Sequence, residues 1–184
     1  MARTEIATLG GGCFWCTEAI FSELRGVKSV EPGYSGGENA NPSYEQVCSG
    51  TTGHAEVAQV SFDPDSISYG ELLEVFFYTH DPTTPDRQGA DEGSQYRSVI
   101  FYHSREQEKV AQQIIAELTN ERAFKNPIVT QLIQFKSFYP AEGYHHGYYR
   151  NNPGQSYCRV VISPKLSKLR SRYQSKLRAS SSAS

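Results

Sequence analysis

The chain has 184 residues, and its 18 basic and 20 acidic side chains leave a net charge of -2 at pH 7. That balance excludes the basic surface through which proteins bind nucleic acids or anionic membranes. A hydrophobic content of 38% and a mean hydropathy of -0.55 indicate a globular protein, and the sequence has neither an apolar stretch of membrane-spanning length nor an apolar signal segment. We therefore expect one monomeric, cytoplasmic domain over residues 1–178, with no nucleic-acid or membrane partner, and a low-complexity tail over 179–184.

The first predicted elements are a short strand over Glu5–Leu9 and a helix that begins shortly after Cys13. Ile20 and Leu24 continue an apolar stripe at helical spacing, and Gly26 stands where a helix would end. Cys13 thus falls where a strand turns into a helix. Free backbone N–H groups and the positive end of the helix dipole favour an anion there, so we expect a lowered pKa for the Cys13 thiol and a nucleophile at neutral pH.

The neighbours of Cys13 favour a redox-active site. The glycine run Gly10–Gly12 allows backbone and substrate to approach closely, and Phe14 and Trp15 supply an apolar wall beside the sulfur. A small buried cysteine without reactivity is the alternative. Neither phosphate-loop pattern fits the glycines, and no second ligand pair with zinc spacing follows Cys13-x-x-Cys16, so we expect no metal.

The most informative strand runs over His54–Phe62, after a strand over Val27–Tyr34 and a short helical turn that carries Cys48. Two-residue alternation places Glu56 on the same face as three apolar residues, Ala58, Val60 and Phe62. A carboxylate among core residues is costly unless it is paired or protonated. Glu56 is therefore a candidate for a raised pKa and for general-acid catalysis, unless it lies solvated at a frayed strand end.

The second half of the chain mixes helices and strands. Its predicted elements are a helix opened by the capping box Ser68-Tyr69-Gly70-Glu71, a strand over Tyr96–His103, a helix opened at Ser104, a strand over Ile128–Phe138 and a last helix beginning near Pro164. The long polar loop over Pro82–Gln95 carries Asp91, and loops of this length are often functional. We predict an α+β fold: a two-layer α/β sandwich in which helices flank a mixed sheet, with a ferredoxin-like core and a long irregular C-terminal segment.

Five motifs, in order along the chain, resemble those of the peptide methionine sulfoxide reductase A family. They are Gly12-Cys13-Phe14-Trp15, Asn41-Pro42-Ser43-Tyr44, Gly53-His54-Ala55-Glu56, the segment from Asp91 to Ser98 that contains Tyr96, and the turn-rich segment ending in Tyr157-Cys158. The resemblance implies a cofactor-free enzyme that reduces the S epimer of methionine sulfoxide, in proteins, in peptides or free, and so repairs oxidised proteins. It also implies thioredoxin as the reductant.

The resemblance assigns a role to each site residue. Cys13 attacks the sulfoxide sulfur, and Glu56 donates a proton to the oxygen. Tyr44 and Tyr96 hydrogen-bond that oxygen, while Asp91 helps to hold the polar pocket. The aromatic pair Phe14 and Trp15 encloses the S-methyl group.

After that first step the resemblance implies a sulfenic acid on Cys13, which a second thiol converts into a disulfide. Cys158 is the family's resolving cysteine and is expected in a mobile segment that can reach the site. Cys16 stands where the family commonly has glycine, so it is a competing resolver or a relay. Cys48 is expected to be buried and to have no catalytic role.

Two other classes of function remain open from the sequence. A thiol–disulfide oxidoreductase built on Cys13-x-x-Cys16 would not need Glu56, Tyr44 or Asp91. A non-catalytic peptide-binding module using the aromatic pair would have no enzyme activity at all.

Overall fold

The computed structural model describes residues 3–179 as a mixed sheet with flanking helices. The strands are β1 (Glu5–Gly11), β2 (Val27–Ser35), β3 (Ala55–Phe62), β4 (Arg87–Gln88), β5 (Asp91–Glu92), β6 (Ser98–Tyr102), β7 (Gln131–Gln134) and β8 (Tyr139–Pro140). The helices are α1 (Phe14–Ser22), α2 (Tyr44–Cys48), α3 (Tyr69–Thr79), α4 (Arg105–Asn120), α5 (Tyr148–Asn151) and α6 (Ser163–Arg172). The predicted tail lies outside the described residues apart from Ala179. Within the described range, no helix combines the length and the apolar character needed to cross a bilayer.

Six strands form one sheet in the order β7-β6-β1-β3-β2-β8. Neighbouring strands are antiparallel except at the edge, where β7 runs parallel to β6, so the sheet is mixed. The unit β1-α1-β2-β3-α3-β6 has the strand order β6-β1-β3-β2, which is the ferredoxin-like arrangement. The predicted α+β sandwich is confirmed, and its centre is the pair β1 and β3, whose ends carry the residues of interest.

The main core lies between the sheet and the helices α1, α3 and α6. It contains fully buried residues from each element, among them Leu9, Phe21, Leu72, Ile100 and Leu169. Helix α3 begins at the predicted capping box: Ser68 Oγ accepts from the N–H of Glu71 at 3.1 Å, and Glu71 Oε2 accepts from the N–H of Ser68 at 2.9 Å. Such a cap stabilises a helix by about 1 kcal/mol.

Several element boundaries differ from the sequence prediction. Helix α1 ends at Ser22, and Gly26 instead forms the turn into β2 with φ +89°, where a Cβ would lie 2.8 Å from the Ile67 side chain. Tyr96 lies in a 3₁₀ turn before β6 rather than on the strand. The strand predicted over Ile128–Phe138 is only the four-residue β7, because this edge segment pairs only with the short strand β6.

Candidate active site

Cys13 lies at the junction of β1 and α1, as predicted. It is the N-cap residue of α1, with extended backbone angles (φ -58°, ψ 128°), and its side chain is 7% exposed. Gly12 makes the turn with φ +101°, and a Cβ there would lie 2.6 Å from the Gln88 side chain, so another residue type would be both strained and obstructed. The thiol is therefore held in a narrow site at the head of the helix.

Glu56 is the second residue of β3 and is 1% exposed, which rules out the solvated strand end. Its Oε1 accepts a hydrogen bond from the N–H of Phe14 at 3.1 Å, and its buried Oε2 has no partner among the described residues. Burial raises the pKa of Glu56 to about 8, and the negative charge of Asp91 adds to that rise. The predicted raised pKa is confirmed, and the carboxyl is mostly protonated at neutral pH.

The expected low pKa of Cys13 is wrong for the substrate-free protein. Burial is the first cause that raises the pKa of this thiol, and the neighbouring Cys16 and Glu56 raise it further. A hydrogen bond from the N–H of Trp15 opposes the rise without overcoming it. The helix terminus does favour an anion, but the cost of removing a thiolate from water dominates at a residue this buried.

Cys16, one turn along α1, behaves in the opposite way. It is 2% exposed, yet its pKa is lowered to about 7. The first cause is its hydrogen bond with the Cys13 thiol, and burial opposes the shift. The charge of Lys165 and a contact from the Tyr157 hydroxyl, 3.7 Å from Cys16 Sγ, favour the thiolate further. Of the two neighbouring sulfurs, Cys16 is therefore the one that ionises more readily.

The two predicted tyrosines lie near the Glu56 carboxyl. Tyr44 is the first residue of α2, and Tyr96 is the last residue of the 3₁₀ turn before β6. Burial raises the pKa of both phenols, and the charge of an ionised Glu56 would raise both further. Both hydroxyls therefore stay protonated and can act as hydrogen-bond donors.

Glu142, which no sequence pattern singles out, positions two aromatic residues. Its Oε1 accepts from the Tyr34 hydroxyl and its Oε2 from the N–H of Tyr44, each at 3.0 Å. Tyr34 is paired with Glu56 across β2 and β3, so the Glu142 carboxylate ties the sheet to α2 beside the site. Glu142 stands in the irregular C-terminal segment, and no motif in its local sequence marks it as functional.

Phe14 and Trp15 are held by aromatic contacts. Phe14 is fully buried, with ring centroids 5.6 Å from Tyr34 and 5.0 Å from His145. Trp15 stacks on Tyr148 at 3.7 Å, and its Nε1–H donates to His145 Nδ1 at 2.9 Å. No role was predicted from the sequence for His145 or Tyr148. Both belong to the irregular C-terminal segment and complete the apolar wall.

Asp91 connects the long polar loop to the C-terminal segment. The loop is not structureless, since β4 and β5 form a small hairpin with Asp91 in its second strand. Asp91 Oδ2 accepts from the hydroxyl of Tyr157 at 2.6 Å, and the same hydroxyl contacts Cys16. In the sequence, Tyr157 stands out only as part of a motif. Its contacts with Asp91 and Cys16 appear only in the folded chain.

The other two cysteines differ from expectation. Cys158, expected in a mobile segment, is fully buried and begins a π-helical turn, Cys158–Ile162, that continues directly into α6. Cys48, expected to be buried, is exposed at the end of α2 because this five-residue helix buries only Val47. All four cysteines are free thiols.

The site thus combines a buried thiol, a protonated carboxyl with one oxygen unpaired among residues 3–179, two protonated phenols and an aromatic wall. Such a set can bind a polar oxygen attached to an apolar group and protonate that oxygen while sulfur attacks. Across residues 3–179, no group of three or more His, Cys, Asp or Glu side chains has the arrangement of a metal site.

Comparisons with known proteins point to the same chemistry. The sequence model of the family described as peptide methionine sulfoxide reductase matches residues 5–177. The peptide methionine sulfoxide reductase MsrA of Sulfolobus acidocaldarius is 56% identical over 172 residues, covering 94% of this chain and 97% of that protein. The MsrA of Thermus thermophilus is 55% identical over 174 residues, 95% of this chain and 98% of that protein.

Solved structures agree. The crystal structure of reduced Mxr1 from Saccharomyces cerevisiae superposes with a TM-score of 0.77 at 38% identity, covering 85% of this chain and 90% of that one. The structure of Mxr1 in complex with Trx2 superposes with a TM-score of 0.54 at 29% identity, covering 79% of this chain and 85% of that one.

Proposed function

The chain belongs to the peptide methionine sulfoxide reductase family and has that family's activity, and we propose that Cys13, Glu56, Tyr44 and Tyr96 carry out its reaction. One observation supports this assignment above the others. The N–H of Phe14, the residue after Cys13, binds one oxygen of the Glu56 carboxyl, while the other oxygen is buried without a partner among the described residues. An unpaired polar atom in the interior is costly, and a sulfoxide oxygen would satisfy it.

In the proposed step the sulfoxide oxygen accepts hydrogen bonds from Glu56 and from the phenols of Tyr44 and Tyr96. Glu56 transfers its proton to that oxygen as Cys13 Sγ attacks the sulfur, and the thiol proton passes to the Glu56 carboxylate. The oxygen, now a hydroxyl, then passes from the methionine sulfur to Cys13 Sγ as the bond between the two sulfurs breaks. The sulfoxide is thereby reduced to the thioether, and Cys13 is oxidised by two electrons to a sulfenic acid. A resting thiol fits this sequence because no free thiolate is needed before the substrate binds.

The aromatic wall formed by Phe14 and Trp15 would receive the S-methyl group, and the fixed oxygen site would then select one epimer at sulfur. We assign the S epimer, in proteins, in peptides or as the free amino acid. Three contacts would distinguish the epimers. The methyl group lies against the apolar wall, the oxygen accepts from Glu56 and the two phenols, and the sulfur faces Cys13 Sγ.

Recycling would require a disulfide that a dithiol reductant can open. Cys16 and Cys158 are the proposed resolving thiols, and thioredoxin is the proposed reductant. The structural likeness to Mxr1, which has been solved in complex with Trx2, supports this choice. We also propose that residues 1–178 act as one monomeric domain in the cytoplasm, where four free thiols would stay reduced.

The test is turnover on separated methionine sulfoxide epimers with dithiothreitol as reductant. The wild-type protein should convert the S epimer only, and Cys13→Ser should produce no methionine. Cys48→Ser changes an exposed thiol and serves as the matched control, with turnover retained. Turnover of the S epimer by Cys13→Ser would contradict the assignment of the nucleophile. A purely thiol–disulfide oxidoreductase would instead exchange disulfides with no difference between epimers.

A further inference from the structure

We propose that Cys16, rather than Cys158, is the thiol that first condenses with oxidised Cys13, and that Tyr157 and Lys165 position it for this step. The inference rests on the proposed function, since it requires a sulfenic acid on Cys13. It assigns the order in which the two candidate thiols act, which the spacing of the cysteines leaves open.

The positions of the Cys13 and Cys16 sulfurs favour a bond between them. Cys13 is the N-cap of α1 and Cys16 lies in its first turn, three residues along, with the Cys16 N–H donating to the Cys13 carbonyl oxygen at 3.1 Å. Residues at this spacing on a helix face the same side. A disulfide needs its two Cα atoms within about 4.4–6.8 Å, a separation that the first turn of a helix meets without displacing other elements.

The polar environment of Cys16 favours its reactive form. The Tyr157 hydroxyl lies 3.7 Å from Cys16 Sγ and is itself oriented by its bond to Asp91. Lys165 lines the same small cavity as Cys16, together with His80. The positive charge and the hydroxyl contact both favour the thiolate, which is the form that attacks a sulfenic acid.

The position of Cys158 makes it a poorer first partner for Cys13. It is fully buried in the main core, at the start of a π-helical turn continuous with α6. Burial raises the pKa of this thiol, and the charge of Cys16 raises it further. The Cys158 thiol therefore resists ionisation. It is also buried, although its segment was expected to be mobile and able to reach the site. It acts only after the first disulfide has formed.

The chemical step balances without any further reagent. The Cys16 thiolate attacks Cys13 Sγ and the S–O bond breaks. The departing hydroxide takes the proton of the Glu56 carboxyl, which the first step leaves protonated, and becomes water. The bond formed is Cys13–Cys16, and Cys16 is oxidised as the sulfenic acid is reduced.

The decisive experiment is a single turnover with one equivalent of methionine sulfoxide peptide and no reductant. Samples are quenched over time with a thiol-alkylating reagent, digested with trypsin and analysed by mass spectrometry. Cleavage after Arg3 and Arg25 places Cys13 and Cys16 in one peptide, residues 4–25, whereas Cys158 lies in residues 151–159. A Cys13–Cys16 bond is thus an internal loss of two hydrogens, and a bond to Cys158 is a cross-link between two peptides.

We expect the internal disulfide at the earliest times in the wild type and in Cys158→Ser, at equal rates. Cys16→Ser, and Cys16→Ala as a second variant in case serine is poorly tolerated in the core, should keep a dimedone-reactive sulfenic acid at least tenfold longer. Cys48→Ser is the control for the mapping and should match the wild type. The inference is overturned if Cys158→Ser accumulates the sulfenic acid, or if both Cys16 variants form the 4–25/151–159 cross-link at the wild-type rate.

The yield of methionine separates this inference from the proposed function. One methionine per enzyme together with oxidation of Cys13 shows that the first step has occurred, whichever thiol follows. Methionine released from the wild type with Cys13 still alkylated would contradict the proposed nucleophile instead of the order of the resolving thiols.

Discussion

The N–H of Phe14 donates to Glu56 Oε1 at 3.1 Å, so the first helical residue after the nucleophile holds the acid. The contact joins residues 42 positions apart and links the N-terminus of α1 to the middle of the sheet. It leaves the other carboxyl oxygen without a partner among the described residues, and burial keeps the group protonated at neutral pH. The activity expected of the site depends on this arrangement.

Glu56→Gln should lower the single-turnover rate of methionine formation by a factor of about 10²–10⁴, since an amide can hold the oxygen but cannot protonate it. In the wild type, the acid form is lost as pH rises through about 8, so kcat/KM should fall above that pH. The measurement is a pH series of single turnovers. A rate that climbs steadily above pH 8 would instead identify a thiolate-limited enzyme.

Asp91→Asn should move that alkaline limb to lower pH. The negative charge of Asp91 helps to raise the pKa of Glu56, and asparagine removes the charge while its oxygen can still accept the hydrogen bond from Tyr157. The matched control is Glu92→Gln, which removes an exposed charge one residue further along and should leave the profile unchanged. Equal pH profiles for Asp91→Asn and the wild type would show that the charge of Asp91 does not affect the pKa of Glu56.

Glu56 should also affect the pH dependence of folding. Its pKa is raised in the folded state, so ionisation is more costly there than in the unfolded chain, and stability is lost as pH rises from about 4.5 to about 8. Relative to Glu56→Gln, the free energy of unfolding of the wild type should fall across this window by up to about 1.4 kcal/mol per pH unit. Urea unfolding at several pH values measures the difference, and the exposed Glu38→Gln should show no such trend.

Tyr44→Phe and Tyr96→Phe should each reduce kcat by roughly 10²-fold, as loss of one donor to a developing charge does in other enzymes. The double variant should lose more, and KM should change less than kcat if both bonds strengthen in the transition state. Tyr102→Phe, on β6, is the control with the same chemical change. Full activity in the double variant would remove the phenols from the mechanism.

Cys158→Ser should separate two reductants. A small dithiol can reduce the buried Cys13–Cys16 disulfide directly, whereas the proposed relay through Cys158 requires that buried thiol to leave the core before a protein reductant can reach it. Multiple turnover should therefore continue with dithiothreitol and fall at least tenfold with thioredoxin. Steady-state assays with each reductant give the ratio, and undiminished turnover with thioredoxin would assign no recycling role to Cys158.

Local sequence patterns were sufficient for a large part of the fold. Two-residue alternation placed Glu56 among core residues, and the capping box at Ser68 located the start of α3. These patterns work because hydrophobic periodicity and helix caps depend on residues only a few positions apart. The strand predicted over Ile128–Phe138 was too long for the same reason: its actual extent depends on the partner strand β6, which lies elsewhere in the chain.

The sequence by itself determined the α+β fold, the place of Cys13 at the head of a helix and the position of Glu56 on the apolar face of its strand, because each follows from local spacing. Only the tertiary structure decided the state of the thiols and the partners of the site. Glu142 reaches Tyr44 across 98 positions and Tyr157 reaches Asp91 across 66, distances over which no local pattern is informative. The pKa of Cys13 was predicted with the wrong sign because the helix terminus is visible in the sequence, whereas the burial that outweighs it exists only once the chain has folded around the sulfur.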